Sequence, residues 1–221
     1  MLPTRALRKV LLTLPRISLP GPWYRAVNYD HLGGPRPGFP AGGAVPPLWA
    51  GGPARKGARF TPRAVAAGAT GSPVSGIDCL YLAEDELTPL LEIASVLRPR
   101  GSRLPLRFEP QVIMAVDGAL SDVLDLTQAA TQLALGTTLA ELTAPWILQQ
   151  ANHLAGLAPL PPTQALGEAA FAAGSIAALR YPSSKNPAGV GLVVFTIRLV
   201  AGRDSLNLFN HSTGRLQQSL P

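Results

Sequence analysis

Apolar positions along this chain follow two spacings, short continuous or alternating runs and stripes at every third or fourth residue, with glycine- and proline-rich stretches between them. The runs Trp23–Val27, Ile77–Ala83, Gln111–Val116, Ile176–Arg180, Gly191–Val200 and Ser205–Phe209 are short and rich in β-branched or aromatic residues, which predicts strands, and Val123–Leu126 is a weaker one. A brief strand is also expected over Gly57–Pro62, carrying Arg59.

Helical spacing predicts an amphipathic helix after Thr4, packed on the body or on a partner. It predicts others over Thr127–Leu135, Pro145–Leu154 and Pro162–Gly174, the last capped by Thr163 and stopped by Gly174, and a further turn within TTLAEL. After the Ile77–Ala83 strand, Thr88 suits an N-cap and Pro89 the first helical position. In that helix Leu90, Ile93, Ala94 and Leu97 form the apolar stripe, whereas Glu92, in the first turn, falls off it. Gly33–Pro53 reads as a long loop and Ala64–Gly76 as a small-residue linker. The arginines at 98, 100, 103 and 107 alternate with Pro and Gly and read as a solvated loop.

Length and composition set bounds on these elements. A chain of 221 residues, 47% hydrophobic and 14% charged, suits one domain over residues 1–221, with a basic helical extension at 1–20 and a core at 23–209. No apolar stretch reaches membrane-spanning length, and Val10–Leu14, cut by Pro15, is too short for a secretory core. The single cysteine, Cys79, excludes an intrachain disulfide and fits a reducing, cytoplasmic setting. The net charge of +6 is uneven: residues 1–63 hold ten Lys or Arg against one acid, Asp30. Such a basic third could meet a phosphate-bearing small molecule, a nucleic acid, an acidic protein or a membrane surface, and charge alone does not choose.

There is no Walker phosphate loop, no Gly-x-Gly-x-x-Gly after a strand and no Cys/His metal spacing, and His31, His153 and His211 are far apart, each reading as a surface or core residue. What remains is an ordered set: Arg25 in WYRA, Arg59 in GARF, Tyr81 in LYLA, Glu92 in the following helix and Ser183 in YPSS. Taken singly, an acid in a first helical turn serves the helix dipole and a tyrosine in a strand serves the core.

Taken together, WYRA, GARF, LYLAEDELTPLLE, TQALGEAAFAAG, ALRYPSS and GLVVF, spanning Trp23 to Phe195, resemble the RES domain, the toxin half of bacterial toxin-antitoxin pairs. The resemblance implies an α+β fold, an ADP-ribosyltransferase-like mixed β-sheet core flanked by short helices. It also implies an enzyme that consumes NAD as substrate, an NAD phosphorylase or glycohydrolase breaking the nicotinamide–ribose bond with phosphate or water as acceptor. Glu92 would stabilise the oxocarbenium-like ribose, Arg59 with Arg25 would hold the pyrophosphate, Tyr81 would offer a ring to nicotinamide or ribose, and Ser183 a hydroxyl to orient substrate. No cofactor and no metal are required. An Xre-type antitoxin would cover the cleft, nucleic acid would be met only through that antitoxin, and a homodimer is allowed. Two departures stand out. Ala58-Arg59-Phe60-Thr61 replaces the family's usual Gly-Arg-Trp-Asn, and the linker before the Tyr81 strand is long. The alternatives are an ADP-ribosyltransferase with a protein target, a non-enzymatic basic nucleic-acid-binding module, and a fold that has lost catalysis.

Overall fold

The computed structural model describes residues 1–33, 45–64, 76–97, 111–210 and 212–221. The arginines at 98, 100, 103 and 107, His211 and most of the 64–76 linker lie outside the described residues.

Eight strands and eight α-helices are described, an α+β arrangement with one mixed sheet, as the sequence leads one to expect. The strands are β1 (Ile17–Pro20), β2 (Trp23–Asn28), β3 (Cys79–Ala83), β4 (Gln111–Asp125), β5 (Ala178–Pro182), β6 (Val190–Phe195), β7 (Ser205–Phe209) and β8 (Leu216–Leu220). All described pairings are antiparallel except β4 with β5. The runs expected at 111–116 and 123–126 belong to one strand, β4, which stays continuous past Asp122 at φ 53°. This one strand pairs with β1, β2, β5 and β7 at successive heights.

Alternation along the strands sorts the core into two layers. Leu80, Leu82, Leu192 and Val194 point into a cluster with Trp23, Val116 and Leu120. Their neighbours Cys79, Val193 and Phe195 point the other way, against Leu166, Ala169 and Ala170 of α8 (Pro162–Ala173) and Leu7 and Leu11 of α1 (Thr4–Thr13). The basic N-terminal helix is therefore amphipathic in fact, with two leucines in the core and Arg5, Arg8 and Lys9 exposed.

The pairings close on themselves. β4 joins both β5 and β2, β6 joins β5 and β3, and β2 meets β3 only at Tyr24 and Ala83. Beyond that single contact the two strands diverge, and the gap is the mouth of a cleft.

Several local expectations are corrected. Gly57–Pro62 is a tight turn in which Ala58 and Thr61 exchange backbone hydrogen bonds of 2.7 and 3.1 Å, not a strand. The Gly191 run ends at Phe195, where a 3-10 turn over Thr196–Arg198 begins. The stretch expected as loop holds α2 (Asp30–Gly33) at one end and α3 (Gly51–Lys56) at the other. Helix α8 begins at Pro162 without a cap from Thr163, which is buried, and stops as expected at Gly174, φ 79°. The remaining helices are α5 (Ala129–Ala134), α6 (Leu139–Thr143), which is the TTLAEL turn, and α7 (Ile147–Leu154).

Candidate active site

Helix α4 (Leu87–Leu97) follows β3 after a short turn, and the residue that caps it is Asp85 rather than Thr88. One Asp85 carboxylate oxygen accepts from the amides of Leu87 and Thr88 at 3.0 and 2.8 Å, and the other accepts from the Thr88 hydroxyl at 2.6 Å. The helix thus starts earlier than expected, so Glu92 falls in its second turn, where it faces the cleft together with Ile93.

The cleft encloses about 530 Å³ between β2, β3, α4, α3 and the start of α7. Arg25, Arg59, Tyr81 and Glu92 all line it, although they come from three separated parts of the sequence. Ser183 does not line it and stands behind Glu92. Its hydroxyl donates to a Glu92 carboxylate oxygen at 2.6 Å, and the amide of Ser184 donates to the same oxygen at 3.1 Å. The Ser183 oxygen in turn accepts from the amides of Lys185 and Asn186, both at 3.1 Å. With its donor and both acceptor positions occupied, Ser183 positions Glu92, whereas the sequence suggested direct contact with substrate.

Arg59 is held in the same block of contacts. One guanidinium nitrogen donates to the carbonyls of Leu142 and Ala144, each at 2.9 Å, and the other to the Ser184 hydroxyl at 2.6 Å. Ser184 therefore bridges Arg59 to Glu92. The turn that carries Arg59 is locked from below: Gln164, fully buried on α8, donates to the Ala58 carbonyl at 2.9 Å, and Tyr81 accepts from the Phe60 amide at 3.0 Å. A side chain at Gly167 would place its Cβ 1.8 Å from the Phe60 carbonyl oxygen, so only glycine lets α8 approach this turn. Burial pushes the Tyr81 phenol well above its usual range, and the nearby Cys79 adds to the rise.

Arg25 reaches the cleft from β2. One terminal nitrogen donates to the Trp49 carbonyl at 3.0 Å, while the other is buried and has no hydrogen-bond partner among the described residues. Burial lowers its pKa to about 10, which leaves it charged at neutral pH. A buried charged donor without an acceptor is costly, and an anion in the cleft would satisfy it.

The sequence missed three contributors to this cleft. His31, read as a surface or core residue, lines it from α2, Trp146 lines it at the start of α7, and Tyr181 of β5 forms part of its floor. None carried a local signal, because each reaches the cleft through strand pairing or helix packing. The basic cluster around residue 59 divides: Lys56 and Arg59 line the cleft, whereas Arg63 is exposed.

A geometry of one carboxylate, two guanidinium groups and aromatic walls suits an anionic, ring-bearing substrate. The family model for the RES domain matches residues 23–210, which takes in every one of these side chains. The chain belongs to the RES domain family. Membership accords with an enzyme of the toxin-like, NAD-acting kind. No curated relative matches the chain. Among the described residues no helix of this RES domain is long and apolar enough to cross a membrane, and no three His, Cys, Asp or Glu cluster as metal ligands.

Proposed function

We propose that this RES domain cleaves the nicotinamide–ribose bond of NAD, with phosphate or water as acceptor, and that an Xre-type antitoxin restrains it by covering the cleft. The observation that carries the reading is the presence in one cleft of a fixed carboxylate, Glu92, and a buried guanidinium, Arg25, that has an unspent donor among the described residues. In the reaction the C1′–N bond breaks and its electron pair leaves with neutral nicotinamide. The ribose acquires oxocarbenium character, and an oxygen of phosphate or water then bonds to C1′, water losing a proton to solvent as it does so.

Glu92 supplies negative charge where positive charge develops, and the hydrogen bonds from Ser183 and Ser184 fix it before substrate arrives, so little reorganisation is needed in the transition state. Arg25 supplies the donor for a pyrophosphate oxygen. Arg59, with its nitrogens already committed to Leu142, Ala144 and Ser184, contributes charge beside Glu92. Tyr81 and Trp146 provide ring faces for a base. The cation-lined cleft also favours an acidic blocking segment on the antitoxin.

The test is nicotinamide release from NAD by the purified protein, with and without phosphate, beside Glu92→Gln. Release by the parent and loss in the variant are expected, and dependence on phosphate identifies phosphorolysis. A folded parent that leaves NAD intact in both buffers defeats the proposal and favours transfer to a protein acceptor.

A further inference from the structure

The floor of the cleft contains a group that neither the fold nor the roles proposed for Arg25 and Glu92 account for. Tyr181 on β5 pairs with Gly191 on β6, and Gly191 pairs with Ala83 on β3, so the three form a row across the sheet. A Cβ on Gly191 would lie 2.5 Å from the Tyr181 ring carbon that bears the hydroxyl and 2.7 Å from the hydroxyl oxygen. The Tyr181 ring therefore lies over β6, pointing from β5 towards β3, and its tip reaches the space that the missing Gly191 side chain vacates. All three residues of the row line the cleft.

The ring itself is well packed, 4.7 Å from Phe60 and 6.5 Å from Tyr81 between centroids, and a phenylalanine would make the same contacts. The hydroxyl makes no hydrogen bond among the described residues, in contrast to Tyr81, whose hydroxyl meets the Phe60 amide and the Thr61 hydroxyl. Burial, reinforced by the charge of Glu92, drives the Tyr181 phenol far above its usual range, so the group is a neutral O–H at any physiological pH. A protonated phenol that lines the same cleft as Glu92 and has no partner among the described residues is a donor in wait for an acceptor.

We infer that the Tyr181 hydroxyl donates a hydrogen bond to the ribose diol of the nicotinamide nucleoside, on the same diol from which Glu92 accepts. A vicinal diol offers both donors and acceptors, and a carboxylate satisfies only the donors. Tyr181 supplies the complementary half, and Gly191 is the residue that makes room for it. Substrate selection follows: the site distinguishes ribosyl from deoxyribosyl nucleosides through a donor that a deoxy sugar leaves unused. This inference rests on the proposed reaction.

The experiment measures kcat/KM for NAD and for its 2′-deoxy and 3′-deoxy analogues on the nicotinamide side, in the parent, Tyr181→Phe and Gly191→Ala, with melting temperatures alongside. Tyr181→Phe is expected to melt with the parent and to lose roughly 10-fold or more on NAD, while the parent-to-variant ratio falls to about one for one of the two analogues. Gly191→Ala, which displaces the hydroxyl without deleting it, is expected to lose activity on NAD in the same sense. NAD cleavage at the parental rate by either folded variant overturns the inference, as does an equal loss on NAD and on both analogues. Failure of the parent to release nicotinamide from NAD removes the proposed reaction itself and this inference with it.

Discussion

Replacing Ser183 with alanine isolates the positioning of Glu92 from its charge. The substitution deletes the 2.6 Å hydrogen bond to the carboxylate and leaves the 3.1 Å bond from the Ser184 amide. A hydrogen bond to a charged group contributes about 1.5–3 kcal/mol, which corresponds to roughly 10- to 100-fold in rate if it is fully felt at the transition state. Because the Ser184 amide still donates to the carboxylate, the lower end applies, and kcat for nicotinamide release is expected to fall about 10-fold with KM little changed. The same change strips the amides of Lys185, which is exposed, and Asn186, which is half-buried, of their acceptor. With water able to replace the acceptor in part, that costs about 1 kcal/mol, or about 2–4 °C in melting temperature for a domain of this size. Adding Ser183→Ala to Glu92→Gln should cost stability again but no further activity, since there is then no carboxylate to position. A Ser183→Ala protein with kcat within twofold of the parent would refute the reasoning. So would equal losses in the Glu92 and Glu92→Gln backgrounds.

Three further outcomes follow from the surroundings of the cleft. Arg59→Lys should abolish most activity and lower stability in urea by about 2 kcal/mol or more, because an ammonium cannot span the acceptors at Leu142, Ala144 and Ser184. Gly167→Ala should not give a native circular dichroism and melting profile, since its Cβ would sit 1.8 Å from the Phe60 carbonyl oxygen and α8 would have to withdraw from the Arg59 turn. Burial pushes the Cys79 thiol up to about 12 from an ordinary 9.0, so the folded state keeps its proton while the unfolded state ionises. Its contribution is complete below pH 9 and is lost as pH rises towards 12. Urea unfolding should show the parent losing up to about 2 kcal/mol relative to Cys79→Ala between pH 8 and pH 10.5.

The strands that build the cleft were legible because period-two burial is written into their sequences: Leu80 and Leu82 face one layer, Cys79 and Tyr81 the other. Strands β1 and β8 were not, since ISLP and LQQSL carry little apolar alternation and owe their state to pairing with β4 and β7. The early start of α4 was hidden because Asp85 and Thr88 are both good caps, and the choice depends on the Thr88 hydroxyl being drawn to the Asp85 carboxylate. Arg25, Arg59, Tyr81 and Glu92 could be named from motif order, and one cleft holds them all. The part Ser183 plays could not, because residue type shows that a hydroxyl is present and not which way it is spent. Tyr181 was concealed more deeply, as its exposure to the cleft depends on the absence of a side chain ten residues later, at Gly191.

The pairing of β4 with four strands has a consequence for how the protein comes into being. Arg25, Arg59 and Glu92 leave the ribosome early, but β3, which leads into the Glu92 helix, pairs along its whole length with β6, and β4 closes the ring only when β5 is available. Contacts that join such distant parts of the chain form late, because loop-closure entropy must be overcome before they contribute. A nascent chain therefore carries most of the reactive side chains without the serine that aims the glutamate or the strand that floors the cleft. On the proposed reaction, activity would arrive abruptly, once synthesis has passed β6, and an antitoxin of the proposed kind would have that interval in which to meet the finished domain.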